Sequence, residues 1–172
     1  MNQPTLPSLE DCQRSASFSA CGRYRWSLRR DWPGDPGPTI TMIMLNPSWA
    51  NTTMDDQTIR RCMSFARQWG FRTLLITNLY AFITPYPGVL FAQNDPVGHP
   101  RNDMELLEGL TSETVVCAWG ARAEPYRVEH VRALFTIHAP DTPLWCLGRT
   151  KGGAPRHPLY LPSSQELGRF FW

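Results

Sequence analysis

Four short apolar runs decide what this chain can fold into: TITMIML (39–45), TLLITN (73–78), TVVCAWG (114–120) and PLWCLG (143–148). Each is too short for a buried helix and is rich in β-branched or large apolar residues. That is the pattern of a strand covered on both faces. The segments between them carry helical spacing. In QTIRRCMSFARQWG, Ile59, Cys62, Met63, Ala66 and Trp69 recur on one face, and Gly70 supplies the stop. Asp55 or Asp56 stands where the N-cap of that helix belongs. A second helix is expected near 102–110, and a third turns Val128, Val131, Leu134 and Phe135 inward. Strand and helix in alternation predict an α/β fold, a three-layer α/β/α domain around a four-stranded, mainly parallel sheet.

A length of 172 residues suits one domain spanning 1–172, with a polar first 15 residues held loosely and the fold proper over 16–172. In GRYRWSLRR (22–30), Tyr24, Trp26 and Leu28 alternate with arginines, which reads as an edge strand. WPGDPGP (32–38) is a loop by its Pro and Gly content, and a longer loop runs from Leu79 to Asp103. Charged residues make up 19% and hydrophobic ones 42%, a globular composition that excludes intrinsic disorder.

The five cysteines (12, 21, 62, 117 and 146) include no CxxC pair, so no iron–sulfur cluster, metal or other cofactor is expected and a reducing cytoplasm is. His99 and His138 lack metal-ligand spacing, and Cys117 sits mid-strand as core. Neither a signal peptide nor a membrane-spanning segment is expected from the sequence. A net charge of +2 is too small to identify a partner, but its distribution is informative. Arg23, Arg25, Arg29 and Arg30 lie among aromatics, and Arg149, Lys151 and Arg156 cluster near the end of the chain. Such patches suit a phosphate backbone with exposed bases, or a solvated basic edge.

In a parallel sheet the ligand sits beyond the carboxyl ends of the strands. Those ends carry Asn46, Asn78 and, in KGGAPRHPLYLP, His157, so these three are expected to converge on one cleft. Asn46 can hold a water through its amide oxygen or cap a turn, but cannot take a proton as a carboxylate does. Asn78 offers a donor and an acceptor together, as reading a nucleobase edge requires, or caps its strand. His157 can donate to an oxygen on which negative charge develops, or be structural. No GxGxxG, P-loop, GxSxG or HExxH motif is present, and Ser48 has no evident histidine base.

These segments, in this order, resemble the uracil-DNA glycosylase superfamily across residues 39–162. MLNPS resembles the asparagine version of its water-holding motif, LLITNLYAFITP its base-reading strand end, VVCAWGARA a third-strand segment, and RHPLYL its histidine motif. The chain more closely resembles a bacterial and phage family of unknown function that shares LNPS, DxTIRRC and GxPxHPLY. The superfamily resemblance implies a monomeric, monofunctional, cofactor-free DNA glycosylase that flips out a base and hydrolyses its N-glycosidic bond, leaving an abasic site.

By that resemblance Asn46, fixed by Pro47, orients water, Asn78 holds the base and His157 stabilises the leaving group. Ser48, Trp49 and Tyr80 contact the base, with Trp49 and Tyr80 the candidates for stacking on it. Arg149, Lys151 and Arg156 bind the DNA backbone while Leu159 or Tyr160 wedges into the stack. The serine usual after the His-Pro pair is replaced by Leu159-Tyr160, and Asp55 or Asp56 stands ready as a carboxylate base instead of a cap. The base is uracil or a modified, phage-type hydroxymethylated or glucosylated pyrimidine. A non-catalytic modified-base or single-strand DNA binder, and a hydrolase of free nucleosides or nucleotides, are the alternative readings.

Overall fold

Seven strands form one mixed sheet in a computed structural model that describes residues 8–172. In chain order the elements are β1 (Gln13–Phe18), β2 (Arg25–Asp31), β3 (Thr39–Met44), α1 (Gln57–Gln68), β4 (Thr73–Asn78), α2 (Pro87–Phe91), α3 (Arg101–Gly109), β5 (Thr114–Cys117), α4 (Pro125–His138), β6 (Leu144–Cys146) and β7 (Gly168–Arg169). The α/β class read from the alternation holds. The four apolar runs become β3, β4, β5 and β6, which pair parallel in the order β4-β3-β5-β6.

The expected four-stranded sheet is corrected at both edges. A hairpin of β1 and β2 adds antiparallel strands beside β4, and β7 pairs antiparallel with β6. Neither edge carries a buried-strand signal: β1 reads QRSASF and β7 is two residues long. Part of the N-terminal segment expected to be loose is therefore β1, while residues 1–7 lie outside the described residues.

The alternating side chains of β3 and β5 divide the core in two. Ile40, Met42 and Val116 join Ile59, Cys62, Met63, Phe65 and Ala66 of α1 on one face. Ile43, Val115 and Cys117 join Leu90 of α2, Leu106 of α3 and Val131 and Phe135 of α4 on the other. Helix α1 begins where expected because the carboxylate of Asp56 accepts from the Ile59 N–H at 2.8 Å. It ends at the C-cap Trp69, where Gly70 takes a left-handed φ of 83° that glycine adopts without strain.

The edge-strand reading of residues 22–30 is overturned, since β2 is hydrogen-bonded on both sides. Its expected apolar face is broken as well. Ser17 pairs with Ser27 but Phe18 with Arg25, so Trp26 is an extra residue, a bulge. The bulge reverses the alternation. Trp26 stacks on Tyr24 and packs near Gly98, away from α1. Arg25 instead joins the α1 face with Leu28 and Arg30, and its Nη1 donates to the Ala50 carbonyl at 2.6 Å.

Arg30 on β2 tolerates burial because it is paired. Arg30 Nη2 lies 2.7 Å from Asp55 Oδ1, with both side chains shielded from solvent, and Arg14 of β1 holds the other Asp55 oxygen at 3.1 Å. Removing one partner of such a pair leaves an uncompensated buried charge, at a cost of about 3–5 kcal/mol. Asp55→Ala is expected to lower unfolding free energy by that amount in urea titration. A loss below about 1 kcal/mol would show that the pair does not tie the hairpin to α1.

Candidate functional site

The cleft lies where the sheet order reverses. From β3 the chain passes to α1 on one face, and from β5 to α4 on the other, so a crevice opens between their carboxyl ends. It has a volume of about 710 Å³ and is lined by residues following β3, β4 and β5 and by the segment after β6. Asn46, Ser48, Asn78, His157, Leu159 and Tyr160 all line it. The convergence of two asparagines and a histidine expected from the strand ends is thus present in space.

Asn46 leaves β3 with its amide nitrogen committed. Nδ2 donates to the carbonyls of Thr84 at 2.7 Å and Pro47 at 2.9 Å, and more weakly to Phe82 at 3.4 Å. The side chain is pinned to backbone, and its Oδ1 makes no hydrogen bond among the described residues. Asn78 closes β4 and is wholly buried, yet neither its Nδ2 nor its Oδ1 has a partner among the described residues. Its backbone is held hard from behind: Asn102 Nδ2 donates to the carbonyls of Asn78 and Leu79 at 3.0 and 3.1 Å, and Arg127 Nε to Leu79 at 2.7 Å.

His157 is placed by a small hairpin. The Arg149–Pro155 bridge and the Arg156 N–H to Gly148 carbonyl bond of 2.9 Å bring it beside Gly120. Gly120 has a φ of 76°, and a Cβ there would lie 3.6 Å from the histidine Cβ, so the two backbones come close. The Leu159 N–H donates to His157 Nδ1 at 3.2 Å. With Nδ1 an acceptor, the neutral ring carries its proton on Nε2. Burial lowers the imidazole pKa from its ordinary value of 6.5, with Asp56 opposing more weakly, so the neutral form prevails at pH 7.

Three further residues belong to the lining. Asp56 caps α1 with Oδ1 and is the one carboxylate among the lining residues. Arg25, expected on a basic rim, is 2% exposed and lies inside the wall. Burial lowers its pKa to about 10, against the attraction of Asp56, so it stays charged at neutral pH. The bulge that re-aims it leaves no mark in the sequence. Trp119, from the WGARA segment, supplies the aromatic wall, backed by Phe170 and Trp172.

Other expectations are corrected. Tyr80 cannot stack on a ligand in the cleft. It is wholly buried in the opposite core, edge-on to Phe91, and its hydroxyl accepts from the Glu124 N–H at 3.2 Å. A ring of that size buries more apolar area against α2 than an open cleft offers. Trp49 is 61% exposed and does not line the cleft, while Pro47 is buried behind Asn46. Asp55 is no base, its two oxygens being taken by Arg14 and Arg30. Arg149 faces a different cavity; its guanidinium bonds the Gly153 and Phe171 carbonyls and lies over the Phe170 ring. Lys151 and Arg156 are exposed outside the cleft lining, and the exposed cation on the lining itself is Arg122.

No curated protein and no solved structure matches the chain. A family described as "Protein of unknown function (DUF1643)" matches residues 25–159. The match starts at the re-aimed Arg25 and runs through Leu159, whose N–H fixes the histidine tautomer, so it takes in the cleft lining up to Tyr160. On a match of that extent, the chain belongs to the DUF1643 family.

Proposed function

We propose that the protein is a DNA glycosylase of the uracil-DNA glycosylase kind, hydrolysing the N-glycosidic bond of uracil or a modified pyrimidine. One observation carries the reading: Asn78, a fully buried asparagine that borders the cleft, has an unpartnered amide donor and acceptor. Each buried unsatisfied polar group costs about 1–3 kcal/mol, and a ligand that completes it is one way such a group is retained. The edge of a flipped base supplies both complements at once. The central β4-β3-β5-β6 sheet, with its cleft at the carboxyl ends, supports the same architecture. A volume of about 710 Å³ leaves room for a substituted pyrimidine.

The chemistry follows from the lining groups. Asn46 Oδ1 orients a water against the anomeric carbon. As the water oxygen bonds to that carbon, the bond to the base nitrogen breaks and its electron pair leaves with the base. His157 Nε2–H donates to the base oxygen where that charge accumulates. Asn46 cannot take the proton the water loses; the free oxygen of Asp56 accepts it. Tyr160, at the lip and 90% exposed, holds a left-handed φ of 69°, a strained conformation for a tyrosine that suits a wedge.

The direct test incubates the protein with oligonucleotides carrying uracil, hydroxymethylated or glucosylated pyrimidines, followed by alkali. Strand scission at one modified position is expected; intact strands throughout, with only free nucleotides consumed, would favour a nucleotide hydrolase. On the base that is excised, His157→Ala lowers the single-turnover rate by about 10²–10³. Asp56→Asn keeps the helix cap, since asparagine caps as well as aspartate, but removes the base and lowers the rate by about 10² or more. An Asp56→Asn rate equal to wild type would assign the carboxylate to capping alone.

The tautomer makes a separate prediction. Nitrogen NMR of the His157 ring is expected to show the proton on Nε2 at pH 7 and titration below the ordinary value of 6.5. A midpoint at or above that value would remove the neutral donor from the mechanism.

A further inference from the structure

Three loops that contribute residues to the cleft lining carry large aromatics that the fold leaves in solvent. Trp49 is 61%, Tyr86 64% and Tyr160 90% exposed. Each stands on a different loop, following β3, β4 and β6 respectively. Each adjoins or joins the lining: Trp49 follows Ser48, Tyr86 sits between Pro85 and Pro87, and Tyr160 lines the cleft itself.

These loops are anchored. The Ala50 carbonyl next to Trp49 is held by buried Arg25 at 2.6 Å, and the Tyr86 N–H donates to Thr84 Oγ1 at 3.1 Å. Neither the Trp49 indole nor the hydroxyls of Tyr86 and Tyr160 make a hydrogen bond among the described residues. Rings presented this way, on rigid backbone and without polar partners, are stacking platforms. Every nucleobase has a π-face to place on them, but in a duplex those faces are already stacked on one another. One exposed aromatic beside the cleft would serve as a wedge; three on separate loops need several unstacked bases.

The charge points the same way. The lining holds one exposed arginine, Arg122, and one buried one, Arg25, facing the carboxylate of Asp56. A single strand carries half the phosphate density of a duplex, so the exposed Arg122, with Arg156 next to His157, meets a larger share of its charge.

We propose that the mouth binds a single DNA strand lacking its complement, with bases flanking the recessed one stacked on Trp49, Tyr86 and Tyr160. The inference rests on the DNA reading of the cleft and names the form of its substrate. Fluorescence anisotropy tests it with a labelled unmodified pyrimidine-rich strand, alone and annealed to its complement. The strand alone is expected to bind at least about tenfold more tightly than the duplex. Trp49→Ala and Tyr86→Ala are each expected to weaken strand binding by about tenfold, the scale of one lost base–aromatic stack, and to leave duplex binding as it was. Equal affinity for strand and duplex overturns the proposal, as do Trp49→Ala and Tyr86→Ala variants that bind the strand like wild type. Strand binding with these losses but no excision of any base would sink the glycosylase reading alone. Excision confined to duplex would sink this inference and leave the glycosylase standing.

Discussion

Arg30 and Asp55 lie 2.7 Å apart, both shielded from solvent, and much of the molecule is arranged around that contact. Burial of the Arg30 guanidinium is offset by this partner, which also accepts from Arg14 of β1. Asp55 thereby joins β1, β2 and the loop that leads into α1. Asp56 follows directly and caps the helix, so the carboxylate in the cleft is positioned by a salt bridge one residue away. The same strand delivers Arg25 to the cleft wall by a one-residue bulge. β2 lies inside the sheet with Arg30 shielded from solvent, and the ion pair offsets the cost of that burial.

The opposite wall depends on close backbone approach. Gly120 and His157 meet where the loop after β5 crosses the hairpin after β6, and the Gly120 N–H donates to the Pro155 carbonyl at 2.9 Å. The two walls come from opposite halves of the sheet. Asn78 lies between them at the end of a central strand, its backbone clamped by Asn102 and Arg127 from the other core. A rigid floor and two independently anchored walls suit a site that must hold a planar group in one orientation.

The parts of this arrangement legible in the sequence are those with local causes. The parallel strands announce themselves as apolar runs because both faces of each are covered, and Gly70 and Asp56 mark α1 through their backbone preferences. The convergence of Asn46, Asn78 and His157 follows from strand ends sharing one edge of the sheet. Features with nonlocal causes were not legible. β1 is polar because its face packs on little, β7 is too short for periodicity, and the β2 bulge depends on a partner strand. Tyr80 misleads for the same reason: adjacency to Asn78 in sequence says nothing about which of two cores takes its ring. Arg149 looks like a free cation until the C-terminal segment folds over it.

Asn78 has a consequence for how such a site could change over time. Because neither amide atom is held by the protein, nothing fixes which way the amide group points. Rotated one way it matches a pyrimidine edge that donates from N3 and accepts at C4; rotated the other way it matches one that accepts at N3 and donates at C4. On the glycosylase reading, the residue that holds the base is therefore indifferent between uracil-like and cytosine-like targets. On that reading discrimination passes to the walls, which Trp119 and Thr84 help to line. A lineage could then move between pyrimidine targets by reshaping those walls, keeping the floor and the leaving-group donor untouched.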